Sequence, residues 1–370
     1  MTTPPNPILD RPASLGQFAM SVRIDVLDRS LSWQDSLTPL TAGTVTCSTQ
    51  GAINRSWTGV RFAESVYQTI GSPGGARFRP VIVLEDGSGP PGTTIGGWPL
   101  GVFVLVDAPM TRWGEQPVRN CSFLDLGFAL DQDTDETFSI EPGGDLYDAF
   151  VRLLDRARIY NRFVDPTIGA RVWEAAAWQS GTSAKRIADR LAQLAGTLPP
   201  YINNEGVCIV RANPELRATT PDHVYTLEGG RLISAPAPVE NDNYLDAPNL
   251  HIVKGTGPTG GPVIGRASID PRLDWSVEQR GIPVTEVHTL QGLDGDEAAQ
   301  RAAEQFAAAD YRAHWEAEIV GFPDPRHDVY QIVEYRGVNW REAGWTLGLD
   351  PGDRTHKHTL VRDEWEYQDQ

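Results

Sequence analysis

The chain has 370 residues, with 49 acidic against 32 basic side chains and a net charge of −17. So acidic a chain lacks the basic face that phosphate contacts require, which argues against a nucleic-acid binder. Apolar residues at 40% and charged ones at 22% are ordinary globular usage and exclude wholesale disorder, while 36 glycines and 28 prolines favour short strands and turns over a helical bundle.

Residues 1–17 open with Thr-Thr-Pro-Pro-Asn-Pro and read as an extended arm without a core of its own. The arm has neither the basic start nor the apolar middle of a signal peptide. No window nears the ~18 consecutive apolar residues of a membrane span. A soluble protein made in a reducing cytoplasm, without membrane insertion, is expected.

From residue 18 to 130 the pattern is strand-like. Val22, Ile24 and Val26 alternate with Arg23 and Asp25, the period of a half-buried strand. Gly43-Thr-Val-Thr-Cys-Ser-Thr, residues 77–84 and Gly101-Val-Phe-Val-Leu-Val-Asp continue the series. The cluster Asp86-Gly-Ser-Gly-Pro-Pro-Gly supplies a turn within it. Strands at this spacing argue for a barrel or sandwich.

After Pro142-Gly-Gly the period changes. Leu146, Phe150, Leu153, Leu154 and Ala157 share one helical face, with Asp145 placed to cap it. A second helix is predicted over 183–195, on the stripe Ile187, Leu191, Leu194, Ala195, with Gly196 as a left-handed cap. Asn203-Asn-Glu-Gly-Val-Cys-Ile-Val-Arg is a turn feeding a strand. The chain returns to strands at Asn249-Leu-His-Ile-Val-Lys-Gly, follows a Gly/Pro-rich loop, and forms an Ala-rich helix over about 296–311. Strands at 317–320, 330–335 and 359–364 close the series.

Chemistry is sparse. Cys47, Cys121 and Cys208 form no C-x-x-C pair and no zinc spacing, and are expected as buried free thiols. Asp131-Gln-Asp-Thr-Asp-Glu starts like a calcium loop, but Glu136 and Pro142 stand where Gly and Glu belong, leaving a solvated acidic turn. His356 and His358 share one side of a strand, a spacing that could seat a metal. With no other His or Cys nearby in sequence, they are expected as exposed strand histidines. His314 and Glu318 do not make an H-E-x-x-H motif, and no nucleophile elbow, Walker loop or dinucleotide fingerprint occurs. A carboxylate dyad could hide among so many acids, but nothing singles one out. No catalytic, cofactor-binding or metal-ligating residue is assigned, and no cofactor is expected. Of the eleven tryptophans most are expected in the core. Trp340 and Trp345 are read as a hairpin pair through a turn-like segment, with sugar stacking as the functional alternative.

Several segments, taken in order, resemble the hub proteins at the tip of long-tailed bacteriophages. That family includes minor tail proteins, and is related to the N-terminal region of tail-associated lysins and to the contractile-phage baseplate hub. The segments are Trp98-Pro-Leu-Gly-Val-Phe-Val-Leu-Val-Asp with Cys121-Ser-Phe-Leu-Asp-Leu, Glu141-Pro-Gly-Gly-Asp-Leu-Tyr-Asp-Ala-Phe, residues 183–211, Asn249-Leu-His-Ile-Val-Lys-Gly, and residues 296–335. The family's Gly-Asp before the strand at Tyr330 is replaced here by Arg326-His-Asp-Val. The sequence given stops soon after Trp365, where tail lysins continue into peptidase or glycosidase domains.

The resemblance implies a mainly β fold with α insertions: two similar β-barrel domains, forming a trimeric ring. Residues 18–145 with about 216–240 would be the first barrel, and 146–215 a helical insertion. Residues 241–370 would be the second barrel, with an insertion around 256–312. One continuous sheet would count against two barrels. The implied function is a structural, non-enzymatic hub in the virion tail tip: a homotrimeric pseudo-sixfold ring joining the sixfold tail to threefold tip parts. Its partners would be the distal tail protein ring, the tape measure protein and central-fibre proteins, with genomic DNA passing through the channel unbound. The alternatives are a tail-associated cell-wall hydrolase and a carbohydrate-binding receptor protein. If the ring surrounds DNA, carboxylates should prevail on its wall and arginines at subunit boundaries.

Overall fold

The computed structural model describes residues 18–49, 53–70, 73–86, 94–113, 116–169, 171–172, 175–214, 219–226, 232–234, 239–240, 248–257, 259–273, 275–290, 293–352 and 354–362. The N-terminal arm expected over 1–17 lies outside them, as does Trp365. The first part is almost all strand: β1 (Phe18–Leu27), β2 (Trp33–Leu37), β3 (Thr44–Ser48), β4 (Arg55–Ala63), the short α1 (Glu64–Tyr67), β5 (Arg77–Asp86), β6 (Thr94–Pro99), β7 (Phe103–Asp107), β8 (Met110–Trp113) and β9 (Gln116–Asp125). The alternation read in β1 puts Ile24 and Val26 into the core. Asp25, between them, is also buried, because Arg23 and Arg79 reach its carboxylate at 2.8 and 3.0 Å. Trp57 of β4 stacks on Phe123 of β9, ring centroids 4.6 Å apart, at the centre of this core.

A second unit follows, from a short 3-10 turn (Leu126–Ala129) through β10 (Phe138–Ile140), β11 (Gly144–Asp145), α2 (Leu146–Arg156), β12 (Arg162–Val164), β13 (Arg171–Val172), β14 (Ala176–Trp178), α3 (Ala184–Ala195), β15 (Tyr201–Ile202) and β16 (Cys208–Val210). α2 starts where its cap was read, and α3 starts one residue inside the expected 183–195, with Ser183 as its cap. Asp145 accepts from the Tyr147 amide at 2.7 Å, and Ser183 from the Arg186 amide at 3.3 Å. Gly196 ends α3 in the left-handed region. Leu146, Phe150, Leu153 and Leu154 of α2 pack against Ile187 and Leu191 of α3 in a core of their own. Burial of such side chains stabilises by roughly 1.5–3 kcal/mol each.

The remainder holds β17 (His223–Tyr225), β18 (Leu232–Ser234), β19 (Val239–Glu240), β20 (Leu250–Thr256), β21 (Pro262–Ser268), α4 (Val277–Arg280), β22 (Thr285–Thr289), α5 (Asp296–His314), β23 (Trp315–Gly321), β24 (Ile332–Tyr335), β25 (Val338–Gly348) and β26 (His356–Val361). β20, read from sequence as the opening strand of a second barrel, belongs instead to a separate sheet, β21-β20-β22, covered by α5. The helix lies so close to β21 that a side chain at Gly265 would meet the Ala299 backbone at 2.1 Å. Segment 216–240, expected with the first barrel, makes its strand pairs with the last third: β17 with β24, and β18 and β19 with β23.

The two β-rich parts meet edge to edge. The hydrogen-bonded order runs β18-β23-β26-β25-β3-β4-β9-β7-β5-β1-β2, passing from one part to the other at β25 and β3. Two similar barrels were expected; among the described residues the two β-rich parts are joined in one hydrogen-bonded network, with a core on each side of the passage. β25 is buried along most of its length because it serves both cores: Trp345 and Leu347 face the first, Trp340 the second. Trp340 and Trp345 thus lie within a strand rather than a turn, and the glycine before Trp345 sits at a break in register beside β26.

Candidate functional site

Two buried polar clusters lie side by side where the units join. The first is built on Arg55, the opening residue of β4, which is fully enclosed. Its amide donates to Asp125 Oδ2 at 2.8 Å, while Asp125 Oδ1 accepts from the Gly127 amide at 2.9 Å and caps the 3-10 turn. The guanidinium donates to the Ile202 carbonyl in the middle unit and to the Asp328 carboxylate in the last third. Asp328 also accepts from the amides of Asn204 (3.2 Å) and Val329 (2.8 Å), and the Asn204 side chain donates to the His327 carbonyl at 2.8 Å. One arginine therefore ties three parts of the chain. Burial pushes the Asp125 carboxyl up to about 6, against the pull of Arg55. Burial raises Asp328 as well, again opposed by Arg55.

The second cluster contains the histidines of β26. His356 and His358 are 1% and 0% exposed, so the expectation of exposed strand histidines is wrong. β26 lies between β23 and β25, and its histidine face turns into the last core. There the fold adds partners that sequence distance concealed: His223 and Tyr225 of β17, Asp324, Arg326 and His327 of the segment after β23, and Glu342 of β25. Glu342 receives His327 Nδ1 on one oxygen and His358 Nδ1 on the other, both at 2.6 Å. Tyr225 Oη lies 2.8 Å from His327 Nε2 and 3.5 Å from His358 Nε2. His223 stacks on His327, centroids 3.7 Å apart, and reaches Gln331 Oε1 at 3.1 Å. His356 Nδ1 accepts from the Asp324 amide at 3.4 Å.

Burial drives His327 and His356 well below the usual imidazole range, helped by the neighbouring imidazoles, and lowers His223 too. Burial raises Glu342, opposed by His358. Asp324 goes the other way. Its burial is outweighed by the fork of Arg326, at 2.6 and 2.9 Å, which holds the carboxyl far below its ordinary range.

Donor sets of metal-binding type occur at His223, Asp324 and His327, at His327, Glu342 and His358, and at His251, Glu286 and His288. In the core sets the ligand atoms are committed to one another or to Arg326, and the rings are enclosed. On the separate sheet His251 Nδ1 and His288 Nε2 are 3.3 Å apart with centroids at 5.6 Å and planes 11° apart. The two nitrogens lie in line between the rings, the geometry of an N–H···N hydrogen bond. Lone pairs converging on a tetrahedral zinc would be angled instead.

The remaining expectations fall out simply. Asp131, Asp133, Asp135 and Glu136 are exposed, as a solvated turn requires. Cys47, Cys121 and Cys208 are buried and free. Glu318 is exposed, and the His314 side chain is outside the described residues. Trp57, Trp275, Trp340 and Trp345 are core residues, whereas Trp33 is 59% exposed. A cleft of about 650 Å3 separates the first strands from α2, lined by Arg29, Arg77, Arg158, Phe128 and Tyr160 among others. Among the described residues no helix is long and apolar enough to cross a membrane. Both buried clusters hold parts together; neither presents a nucleophile beside a base at an open surface.

No family model and no curated protein matches the sequence. Solved structures do match the fold along nearly the whole chain. A tail protein from Neisseria meningitidis MC58 is similar with a TM-score of 0.64 and 12% identity, over 93% of this chain and 97% of that one. The 43 kDa tail protein of prophage MuSo2 from Shewanella oneidensis gives 0.59 and 11%, over 92% and 98%. Prophage tail protein gp18 from Listeria monocytogenes EGD-e gives 0.53 and 11%, over 92% and 94%. The chain has the fold of phage tail proteins, in line with the resemblance in its sequence.

Proposed function

We propose that this chain is a structural hub protein of a long-tailed phage tail tip. Three copies would form a pseudo-sixfold ring between the sixfold tail and threefold tip components, around the channel for DNA and tape measure. The observation that carries this reading is the end-to-end match to the Neisseria tail protein, which is itself covered over 97% of its length. Two β-rich cores flanking the β3–β25 passage support two quasi-equivalent units per chain, the arrangement a threefold ring needs to meet a sixfold partner. The buried ties are suited to a part that bears load and performs no chemistry. Its partners would be the distal tail protein ring, the tape measure protein and central-fibre proteins.

Imaging of assembled particles tests the reading, together with mass measurement of the purified chain at increasing concentration. Three copies in a ring at the tail tip is the expected result. A monomer that never joins the particle would overturn it.

A further inference from the structure

Residues 322–331 connect the two buried clusters. His327 points into the imidazole cluster, and its neighbour Asp328 holds Arg55 and the Asn204 amide. The segment is fastened at its start by the Asp324 amide on His356, and at its end by Gln331 Oε1, which accepts from His223 and from the Asp328 amide at 2.7 Å. The side-chain fastenings toward the last core all involve an imidazole, while two backbone hydrogen bonds, Tyr330 amide to Glu342 carbonyl (3.0 Å) and Glu342 amide to Gln331 carbonyl (2.8 Å), hold the end of the segment to β25.

A proton inventory shows how these fastenings respond to acid. With Glu342 ionised, each of its oxygens can only accept, so His327 and His358 both carry hydrogen on Nδ1. Tyr225 then donates to His327 Nε2 over the short 2.8 Å contact, and the 3.5 Å contact to His358 Nε2 is left without a proton. The contacts of His358, Glu342, His327 and Tyr225 form a closed ring of four. A proton added to His356, His223 or His327 finds no acceptor of that kind. His356 Nδ1 already accepts the Asp324 amide, so protonating it sets two N–H groups against each other. His223 and His327 are stacked face to face, and the other carboxylate within reach, Asp324, is taken by Arg326. The titratable and charged groups facing these rings are thus Tyr225, Asp324, Arg326, Glu342 and the imidazoles themselves.

We propose that residues 322–331 form an acid-released latch: charging His356, His223 and His327 together frees the segment from β17 and β26, and with it the Asp328 end of the Arg55 tie. Release loosens the joint between the three parts and the side of the first core where Val329 and Tyr330 pack, while the β1–β5 pairing on its far side stays closed. The device does not depend on the tail-hub reading.

Hydrogen exchange of the full chain at pH 7.5 and pH 5.0, corrected for the intrinsic rate, tests it. Peptides spanning 222–226, 322–331 and 200–206 should exchange at least tenfold faster at pH 5.0, with β1 and β5 unchanged. His356→Leu and His223→Gln should each move the transition to lower pH. Uniform acceleration along the chain, or none at 322–331, would overturn the latch. So would a transition left in place by whichever variant folds. The wild-type comparison alone is decisive if neither variant does.

Discussion

Arg55 and Asp328 stand 273 residues apart in the chain and share one ion pair at the joint of all three parts. Such a pair is costly to desolvate, and its worth lies in the hydrogen bonds that complete it. Here those bonds come from the Asn204 and Val329 amides on one side and the Ile202 carbonyl on the other. Geometry at this point fixes where the middle unit sits.

Arg55→Met should cost about 3–5 kcal/mol in urea unfolding, because it strands a buried carboxylate. Combining it with Asp328→Asn should recover part of that loss, since the orphaned charge is then removed. A single-variant loss below about 1 kcal/mol would show that the tie contributes little.

Asp125 gives a pH signature. Its folded value of about 6 lies above the unfolded one, so the folded state takes up a proton as pH falls through 6, and the contribution of Asp125 to stability rises down to the unfolded value. Asp125→Asn cannot make that gain. Its stability relative to wild type should therefore drop by ~2 kcal/mol between pH 7.5 and 4.5. A difference that stays flat with pH would mean the carboxyl is not raised.

Gly265→Ala tests the contact of α5 with β21. The added methyl group would sit 2.1 Å from the Ala299 backbone, so the helix must move away. A loss of roughly 1–3 kcal/mol is expected, with faster exchange confined to 262–268 and 296–307. Unchanged exchange there would contradict the packing described.

Burial pushes the Cys121 and Cys208 thiols up to about 12, and Cys47 higher still. Native protein at pH 8 should resist a thiol reagent at all three positions, and react fully once unfolded. Rapid labelling of any one in native protein would show that it is open.

If three copies form the proposed ring, carboxylates should outnumber arginines on its channel wall, with arginines concentrated at subunit boundaries. A charge map of the assembled particle decides this. A wall lined mainly by arginine would refute it.

Local signals were the legible ones. Asp145 and Gly196 mark helix ends by chemistry acting within three residues, and the structure uses both as read. The face a strand buries depends on what lies across from it, which is why His356 and His358 were misplaced. Their partners Glu342, His327, Tyr225 and His223 come from three other segments, and only the fold assembles them. Trp340 and Trp345 misled for a related reason: β25 is enclosed on both faces, so it lacks the alternation that marks a strand open on one side. Arg55 carried no sequence signal at all. A lone arginine before an apolar strand reads as a surface residue until Asp125, Ile202 and Asp328 are seen around it.

The β3–β25 passage also bears on how the protein is made. Ser48 pairs opposite Gly344, so β3 leaves the ribosome about 300 residues before its neighbour, a wait of roughly 15–60 s at ordinary synthesis rates. Throughout that interval one edge of the first β-rich part stays open, the condition under which nascent strands pair with the wrong chain. Synthesis of β25, rather than of the first β-rich part alone, is what supplies the partner that closes that edge.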